Sequence, residues 1–275
     1  MLLLFQITET AGTPVNDVSW FDLSLALGLI LIALGISRWQ KLGLVKDFII
    51  GAIRTIVQLV LVGYVLVYIF AVDRWYITLA VLMLMLIVAV YAAIGRQKKS
   101  NPQLKWITGS AMLLGSGLTL VYVTTLVVTV QPWHNPRYLI PLFGMIVGSA
   151  MNGAALAIER LNSEMEIRGG EIEAYLALSA NYVQASAQPV RQALRASLIP
   201  TVNGLMVVGI VTLPGMMTGQ ILAGSSPLTA VRYQIVVVFM QAAAVAITTA
   251  GVTLWYRKTF FTSAFQLKTR ANENV

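Results

Sequence analysis

Long runs of apolar residues dominate the chain, and short polar segments separate them. A helix needs about 20 apolar residues to cross the hydrocarbon core of a bilayer, and seven stretches approach that length. The pattern predicts an all-α, polytopic membrane protein with about seven transmembrane helices, at residues 20–37, 48–70, 75–95, 106–130, 138–158, 199–223 and 228–255. The sixth stretch is the least regular, because two prolines and two glycines interrupt it: Pro200, Pro214, Gly215 and Gly219.

Composition agrees with a membrane protein and excludes several kinds of catalytic site. Hydrophobic residues make up 57% of the chain and charged residues 11%, whereas soluble chains carry about 25% charged residues. The absence of cysteine excludes disulfides and thiolate metal sites, and His134 is the single histidine. The sequence contains neither a P-loop nor a nucleophile elbow. We therefore expect no enzyme activity in this chain and no cofactor bound by it.

The distribution of basic residues predicts the orientation in the membrane. Most of the 19 Lys and Arg residues lie on one side of the predicted spans, and Arg74 and Arg137 lie on the other. The positive-inside rule then places the N-terminus outside and the C-terminus in the cytoplasm. The residues on the basic side are Arg38, Lys41, Lys46, Arg96, Lys98, Lys99, Lys105, Arg160, Arg168, Arg191, Arg195, Arg257, Lys258, Lys268 and Arg270.

The connection between the fifth and sixth spans, residues 159–200, is the one long polar segment. We expect residues 1–275 to form a single transmembrane permease domain with this cytoplasmic segment attached. The fifth helix should extend beyond the membrane, since Leu161 and Met165 fall on one face. Gly169-Gly170 should end it, and a short helix should start at Glu171.

Two arginines lie within predicted spans, where ionisable residues are candidates for function. Arg54 lies near the cytoplasmic start of the second span, with Gln58 one turn deeper, and Arg232 lies near the outer end of the seventh. Each arginine could be structural, or could line a path for an anionic cargo. No Asp or Glu lies near the middle of any predicted span, which disfavours a stand-alone carrier driven by an ion gradient.

Other polar or soft side chains in the fifth and sixth spans are further candidates for a translocation path. Asn152, Asn203 and Gln220 could form hydrogen bonds between helices or face such a path. Met217 belongs to a group of methionines for which flexible packing is a better interpretation than soft-ion binding. The sequence does not assign metal ligands.

Most of the chain resembles a known family. The segment Gly144–Gln241, and within it LPGMMTGQILAG at Leu213–Gly224, resembles the FetB-type permeases of bacterial iron-export ABC transporters. Plant aluminium-tolerance permeases belong to the same family. An Arg-x-x-x-Gln pattern at Arg54 and Gln58 is part of the resemblance.

The resemblance implies a multi-pass protein of a cell membrane, most simply the bacterial inner membrane, that forms a homodimer. It also implies two separate P-loop ATPase subunits, which would bind ATP and Mg²⁺, and export of iron or another metal ion. From the residues alone, an anionic cargo such as a sugar nucleotide remains the alternative, because Arg54 and Arg232 suit it at least as well.

The polar connection is similar to the ATPase-coupling loop of ABC permeases. Glu173-Ala174, Ala177-Leu178 and Ala180 look like the first half of the EAA motif, although Ser179 stands where that motif has glycine. The alternative is an amphipathic segment on the membrane surface. The residues expected to dock on the ATPase are Tyr175, Leu176 and Leu178 in an apolar cleft, and Glu171, Glu173, Ala174, Arg191 and Arg195 around it.

Overall fold

The computed structural model describes residues 19–72, 74–95, 102–262 and 264–268. Four of the basic residues that predict the orientation, Arg96, Lys98, Lys99 and Arg270, lie outside the described residues. Within the described ranges the regular structure is helical, apart from two isolated β-bridges. The all-α prediction is confirmed, while the orientation stays a prediction.

Ten α-helices follow one another along the described chain. Residues Val123–Val127 continue the fourth helix as a π-helical turn, and Arg257–Phe260 continue the tenth as a 3₁₀ turn. The helices are α1 (Trp20–Trp39), α2 (Val45–Val72), α3 (Trp75–Ile94), α4 (Pro102–Tyr122), α5 (Pro136–Ile167), α6 (Gly169–Ala177), α7 (Tyr182–Ala185), α8 (Ala187–Val207), α9 (Gly215–Leu222) and α10 (Pro227–Tyr256).

Five helical segments in the described chain are long and apolar enough to cross a membrane, so the expected count of seven is not met. They are Val45–Val72, Trp75–Ile94, Gln103–Val127, Pro136–Ile167 and Pro227–Phe260, while Ser24–Trp39 of α1 is a shorter apolar helix. The predicted sixth span is wrong as a continuous helix. Its chain leaves α8 at Val207, turns through Gly209 at φ +86°, and re-enters a helix only after Pro214.

The described residues fall into two compact units, each considered by itself. The smaller unit comprises α1, α2 and residues 219–225. Here α1 begins with a capping box, in which Ser19 and Asp22 satisfy each other's backbone amides. Along α2 the single buried residue is Ile69, although most residues of the helix are apolar, a combination typical of a membrane-spanning helix.

The larger unit is organised around α5 and α10, which pack on each other and on α4 and α8. Glycines allow the close crossings. A Cβ atom at Gly153 of α5 would lie 2.8 Å from Cγ1 of Val245 on α10, and one at Gly115 of α4 would overlap Thr248 Oγ1. The small residues of the fifth span therefore serve packing within the chain at Gly153, which brings the polar faces of α5 and α10 close together.

Candidate functional site

A cavity of about 410 Å³ lies in the larger unit, between α5, α8, α10 and the segment that follows α8. On each helix the lining residues recur at spacings of three, four or seven positions, so they lie on one face of that helix. The side-chain hydroxyl and amide groups in its wall belong to Ser149 and Asn152 of α5, Ser197 and Thr201 of α8, Thr212 of the segment that follows α8, and Gln234 and Gln241 of α10. Among the described residues that line the cavity, none carries a charge.

Gln234 is the most distinctive polar group of this wall. Its residue is 7% exposed, and its Oε1 atom accepts no hydrogen bond within the described chain. Buried polar atoms normally have a hydrogen-bond partner, so an unpartnered one suggests a role outside stability. The wall of the cavity therefore contains a buried amide oxygen that has no hydrogen-bond donor within the described chain.

Four of the seven residues predicted for a translocation path belong to the larger unit, and of these Asn152 lines the cavity while Asn203, Met217 and Arg232 do not. Asn203 on α8 and Arg232 on α10 are exposed, and Met217 on α9 is half-buried. In the smaller unit, Arg54 and Gln58 are exposed one turn apart on α2, and Gln220 has a buried, unpartnered Oε1 atom. Their role in transport stays a prediction.

The predicted docking residues lie on α6, at its C-cap Leu178, and on α8. Only Arg168 separates α5 from α6. The side of α6 that packs inward is marked by Ile172, which is 1% exposed. Tyr175 is 46% exposed, Leu178 is 81% exposed, and Leu176 is half-buried. Exposed large apolar side chains of this kind mark interaction surfaces when they are grouped. The surrounding exposed positions are Glu171, Glu173 and Ala174 on α6, and Arg191 and Arg195 on α8.

Charged groups connect α5 to α6. The buried carboxylate of Glu164 accepts from Arg160 Nη2 at 2.7 Å and from Arg168 Nε at 2.9 Å, and Arg168 Nη1 also reaches Glu171 Oε2 at 2.9 Å. The hydrogen bond to Glu164, followed by that to Glu171, raises the pKa of Arg168. Because the pKa of Arg168 is raised, its guanidinium keeps its charge, and its contribution to stability, up to a still higher pH.

The backbone at the end of α6 shows why the EAA motif has glycine at the position that Ser179 occupies in this chain. Ser179 adopts φ +67°, and its amide donates to the Leu176 carbonyl oxygen at 3.0 Å. The Ala180 amide donates to the Tyr175 carbonyl oxygen, also at 3.0 Å. These two bonds form a Schellman motif, whose left-handed position favours glycine. The residue that departs from the expected motif therefore occupies a backbone conformation in which glycine would be unstrained.

The family described as "Uncharacterised protein family (UPF0014)" matches residues 20–261 of the chain. The chain belongs to the UPF0014 family. It is 42% identical over 254 residues to a UPF0014 membrane protein of Synechocystis, covering 91% of this chain and 97% of that protein. The family assignment makes it a multi-pass membrane permease, as the membrane-length helices also indicate.

Two further relatives of this UPF0014 chain have informative names. The "Probable iron export permease protein FetB" of Escherichia coli is 40% identical over 255 residues, which cover 92% of this chain and 96% of the Escherichia coli protein. "Protein ALUMINUM SENSITIVE 3" of Arabidopsis thaliana is 34% identical over 262 residues, covering 92% and 94%. No solved structure matches the chain. The predicted resemblance is confirmed.

Sequence reasoning missed most of the cavity wall in this UPF0014 protein. Gln234 and Gln241 lie seven residues apart in an otherwise apolar helix, which places them on the same side, two turns from each other. The spacing of the two glutamines could therefore have been used to predict a polar face on this helix. By contrast, Ser197 and Thr201 could not be placed beside them, because nothing in the sequence indicates which face of α8 meets α10.

Proposed function

We propose that this chain is the membrane-spanning subunit of an ATP-driven exporter and that α6 docks on a separate P-loop ATPase. The observation that carries the proposal is the exposure of Tyr175 and Leu178 on a short helix that joins the cavity-lining α5 through one residue. A helix held in this way can receive movement from a partner and pass it into the membrane. Two copies of the chain and two ATPase subunits would form the complete transporter, with ATP and Mg²⁺ bound on the ATPases.

The path for this movement is α5 itself. It has 32 residues and is therefore about 48 Å long. Asn152 in the cavity wall and Glu164 at the junction with α6 belong to this same helix, about 18 Å apart along its axis. Because Glu164 and Glu171 share the guanidinium of Arg168, a displacement of α6 would be transmitted to the cavity wall.

For the cargo, we propose iron or another metal ion, on the name of the Escherichia coli relative. The neutral oxygen and amide lining is compatible with weak cation binding, which suits a protein that must release its cargo. Export of an anionic molecule such as a sugar nucleotide is the less favoured alternative. Arg232, one of the two residues that would hold an anion, belongs to the same unit as the cavity but is outside its wall.

A stand-alone carrier driven by an ion gradient is also less favoured. Such a carrier needs a titratable or charged group on its path, and the described cavity wall contains hydroxyls, amides and apolar side chains. The described chain also lacks any group of three or more His, Cys, Asp or Glu side chains close enough to share a metal ion.

The first experiment is purification of the tagged full chain from its own membrane in mild detergent. We expect a P-loop ATPase, identified by mass spectrometry, to co-purify in stoichiometric amount and to hydrolyse ATP with vanadate sensitivity. Leu178→Asp and Tyr175→Asp should each abolish its recovery, because a charge would enter an apolar contact. Ile167→Asp, at an exposed apolar position just before α6, is the control and should retain the partner.

The result that overturns the docking surface is equal recovery of the ATPase with Leu178→Asp, Tyr175→Asp and the unaltered chain. If no ATPase accompanies even the unaltered chain, the ATP-driven class itself is wrong.

A further inference from the structure

We infer that the cavity between α5, α8 and α10 binds a metal ion with its water ligands in place, through hydrogen bonds from the coordinated waters to the wall. The inference rests on the proposed function, which makes a metal ion the cargo. It concerns how that ion is recognised. The proposed contacts are Asn152, Ser197, Thr201, Gln234 and Gln241.

The size of the cavity is the first argument. A water molecule occupies about 30 Å³ of liquid volume, so six waters around an ion occupy about 180 Å³. The cavity of about 410 Å³ is large enough for this complex. Direct ligands, in contrast, must converge to between about 2.0 and 2.6 Å from the ion. A cavity of this size surrounds a bare ion too loosely for that.

The chemistry of the wall is the second argument. Divalent ions that shed their water are usually held by carboxylate oxygens, and smaller ions such as Mg²⁺ give up water reluctantly. The described lining residues supply amides and hydroxyls and carry no charge. Neutral oxygens compensate poorly for lost hydration, but they accept hydrogen bonds well from water polarised by a cation.

The unpartnered amide of Gln234 is the third argument. Its Oε1 atom lacks a hydrogen-bond donor within the described chain, although the residue is only 7% exposed. The oxygen is buried from a water-sized probe, so the side chain must turn towards the cavity before a coordinated water, a strong donor, can satisfy it. Ser197 is already a donor to the Leu194 carbonyl oxygen at 2.9 Å, so its own oxygen is left to accept, as the inference requires.

The test uses an ion complex that cannot lose its ligands. Hexaamminecobalt(III) has the size and the outward-facing donors of a hexahydrated ion, and its ammonia ligands do not exchange. The full chain in nanodiscs is titrated with Mn²⁺, followed by electron paramagnetic resonance, and hexaamminecobalt(III) is then added. We expect about one Mn²⁺ per chain, displaced by the cobalt complex.

Variants of Gln234 test the site and the sign of the cargo's charge. Gln234→Leu removes the acceptor and should weaken Mn²⁺ binding by about tenfold or more, the effect of losing a hydrogen bond to a charged group. Gln234→Glu has almost the same shape and should strengthen binding severalfold. A purely structural role would not produce opposite effects. Gln241→Leu should also weaken binding, while Gln192→Leu, on α8 outside the cavity wall, should not.

The outcomes separate this inference from the proposed function. Mn²⁺ binding that hexaamminecobalt(III) cannot displace, or that Gln234→Leu and Gln241→Leu leave unchanged, overturns the inference alone. If Mn²⁺ and Fe²⁺ do not bind the unaltered chain and UDP-glucose does, with weaker binding to Gln234→Glu, metal export is overturned together with the inference.

Discussion

Tyr256 at the end of α10 donates a hydrogen bond from its hydroxyl to Asn162 Oδ1 on α5, at 3.0 Å. The bond joins the two central helices of the larger unit beyond the cavity that they line. Since Gly153 and Val245 bring the same helices together elsewhere along their length, α5 and α10 are fixed to each other at two levels. The two helices that line the cavity are therefore held in one position relative to each other by these contacts.

Removal of that hydroxyl should lower stability without altering the packing. We expect Tyr256→Phe to reduce the free energy of unfolding by about 1 kcal/mol, which corresponds to about 2–4 °C in the thermal midpoint for a chain of this size. The measurement is a thermal melt in detergent. The control is Tyr64→Phe, at an exposed position on α2, which should have the same thermal midpoint as the unaltered chain. Equal midpoints for all three proteins would contradict the prediction.

The glycines of α5 offer a matched pair of substitutions. Gly153→Ala places a methyl group 2.8 Å from Val245 Cγ1 and should cost about 1–3 kcal/mol through overpacking. A Cβ atom at Gly148 would have no atom within 4 Å, so Gly148→Ala should be neutral or raise stability by about 0.5–1 kcal/mol. The measurement is again the thermal midpoint. Similar effects of the two substitutions would show that α5 and α10 do not cross closely at Gly153.

The left-handed conformation of Ser179 predicts a stabilising substitution. A residue with a Cβ atom costs about 1–2 kcal/mol in this conformation, while glycine loses part of this advantage to the greater entropy of its unfolded chain. We expect Ser179→Gly to add about 0.5–1 kcal/mol of stability. Ser179→Ala keeps the strain and should add none. A gain with alanine equal to that with glycine would mean that the backbone conformation is not the cause.

The pairing of Glu164 with Arg160 and Arg168 predicts an uncoupling variant. Glu164→Gln keeps the shape but weakens the connection of α5 to α6. If the chain docks on an ATPase as proposed, the complex should still assemble, and cargo should stimulate ATP hydrolysis several times less. The control is Glu166→Gln, since Glu166 is exposed on the same helix. Loss of assembly, or unchanged stimulation, in the Glu164→Gln protein would contradict a role in transmission.

The sequence predicts the helical class and most helix positions because an apolar run of membrane length rarely forms anything except a transmembrane helix. The second span illustrates this: the pattern predicts residues 48–70, and α2 covers Val45–Val72. The sequence also predicts that a short helix follows the end of α5, but the predicted boundary is wrong: the break falls at Arg168, and Gly169-Gly170, expected to interrupt the helix, are the first residues of α6. The single span predicted for residues 199–223 is wrong as a continuous helix. Pro214 and the neighbouring glycines marked it as irregular, but its apolar length outweighed them, and the turn at Gly209, with φ +86°, was not foreseen.

The cavity was less accessible to sequence reasoning. Charged groups within spans are easily recognised as candidate site residues in a sequence. The cavity wall instead consists of neutral side chains, among them Gln234, Gln241 and small hydroxyl residues. The meeting of these faces depends on the rotation of α8 against α10, which a single sequence does not encode in any local pattern. Only Asn152 was anticipated, since it lies beside Gly153, where the helices approach each other.

The continuity of α5 has a thermodynamic consequence. One unbroken helix contributes both to the cavity wall and to the Glu164 junction. If occupation of the cavity favours one position of this helix, that position is favoured at α6 as well. Coupling of this kind is reciprocal: the factor by which a bound cargo changes the affinity at the docking helix equals the factor by which the docked partner changes the affinity for cargo.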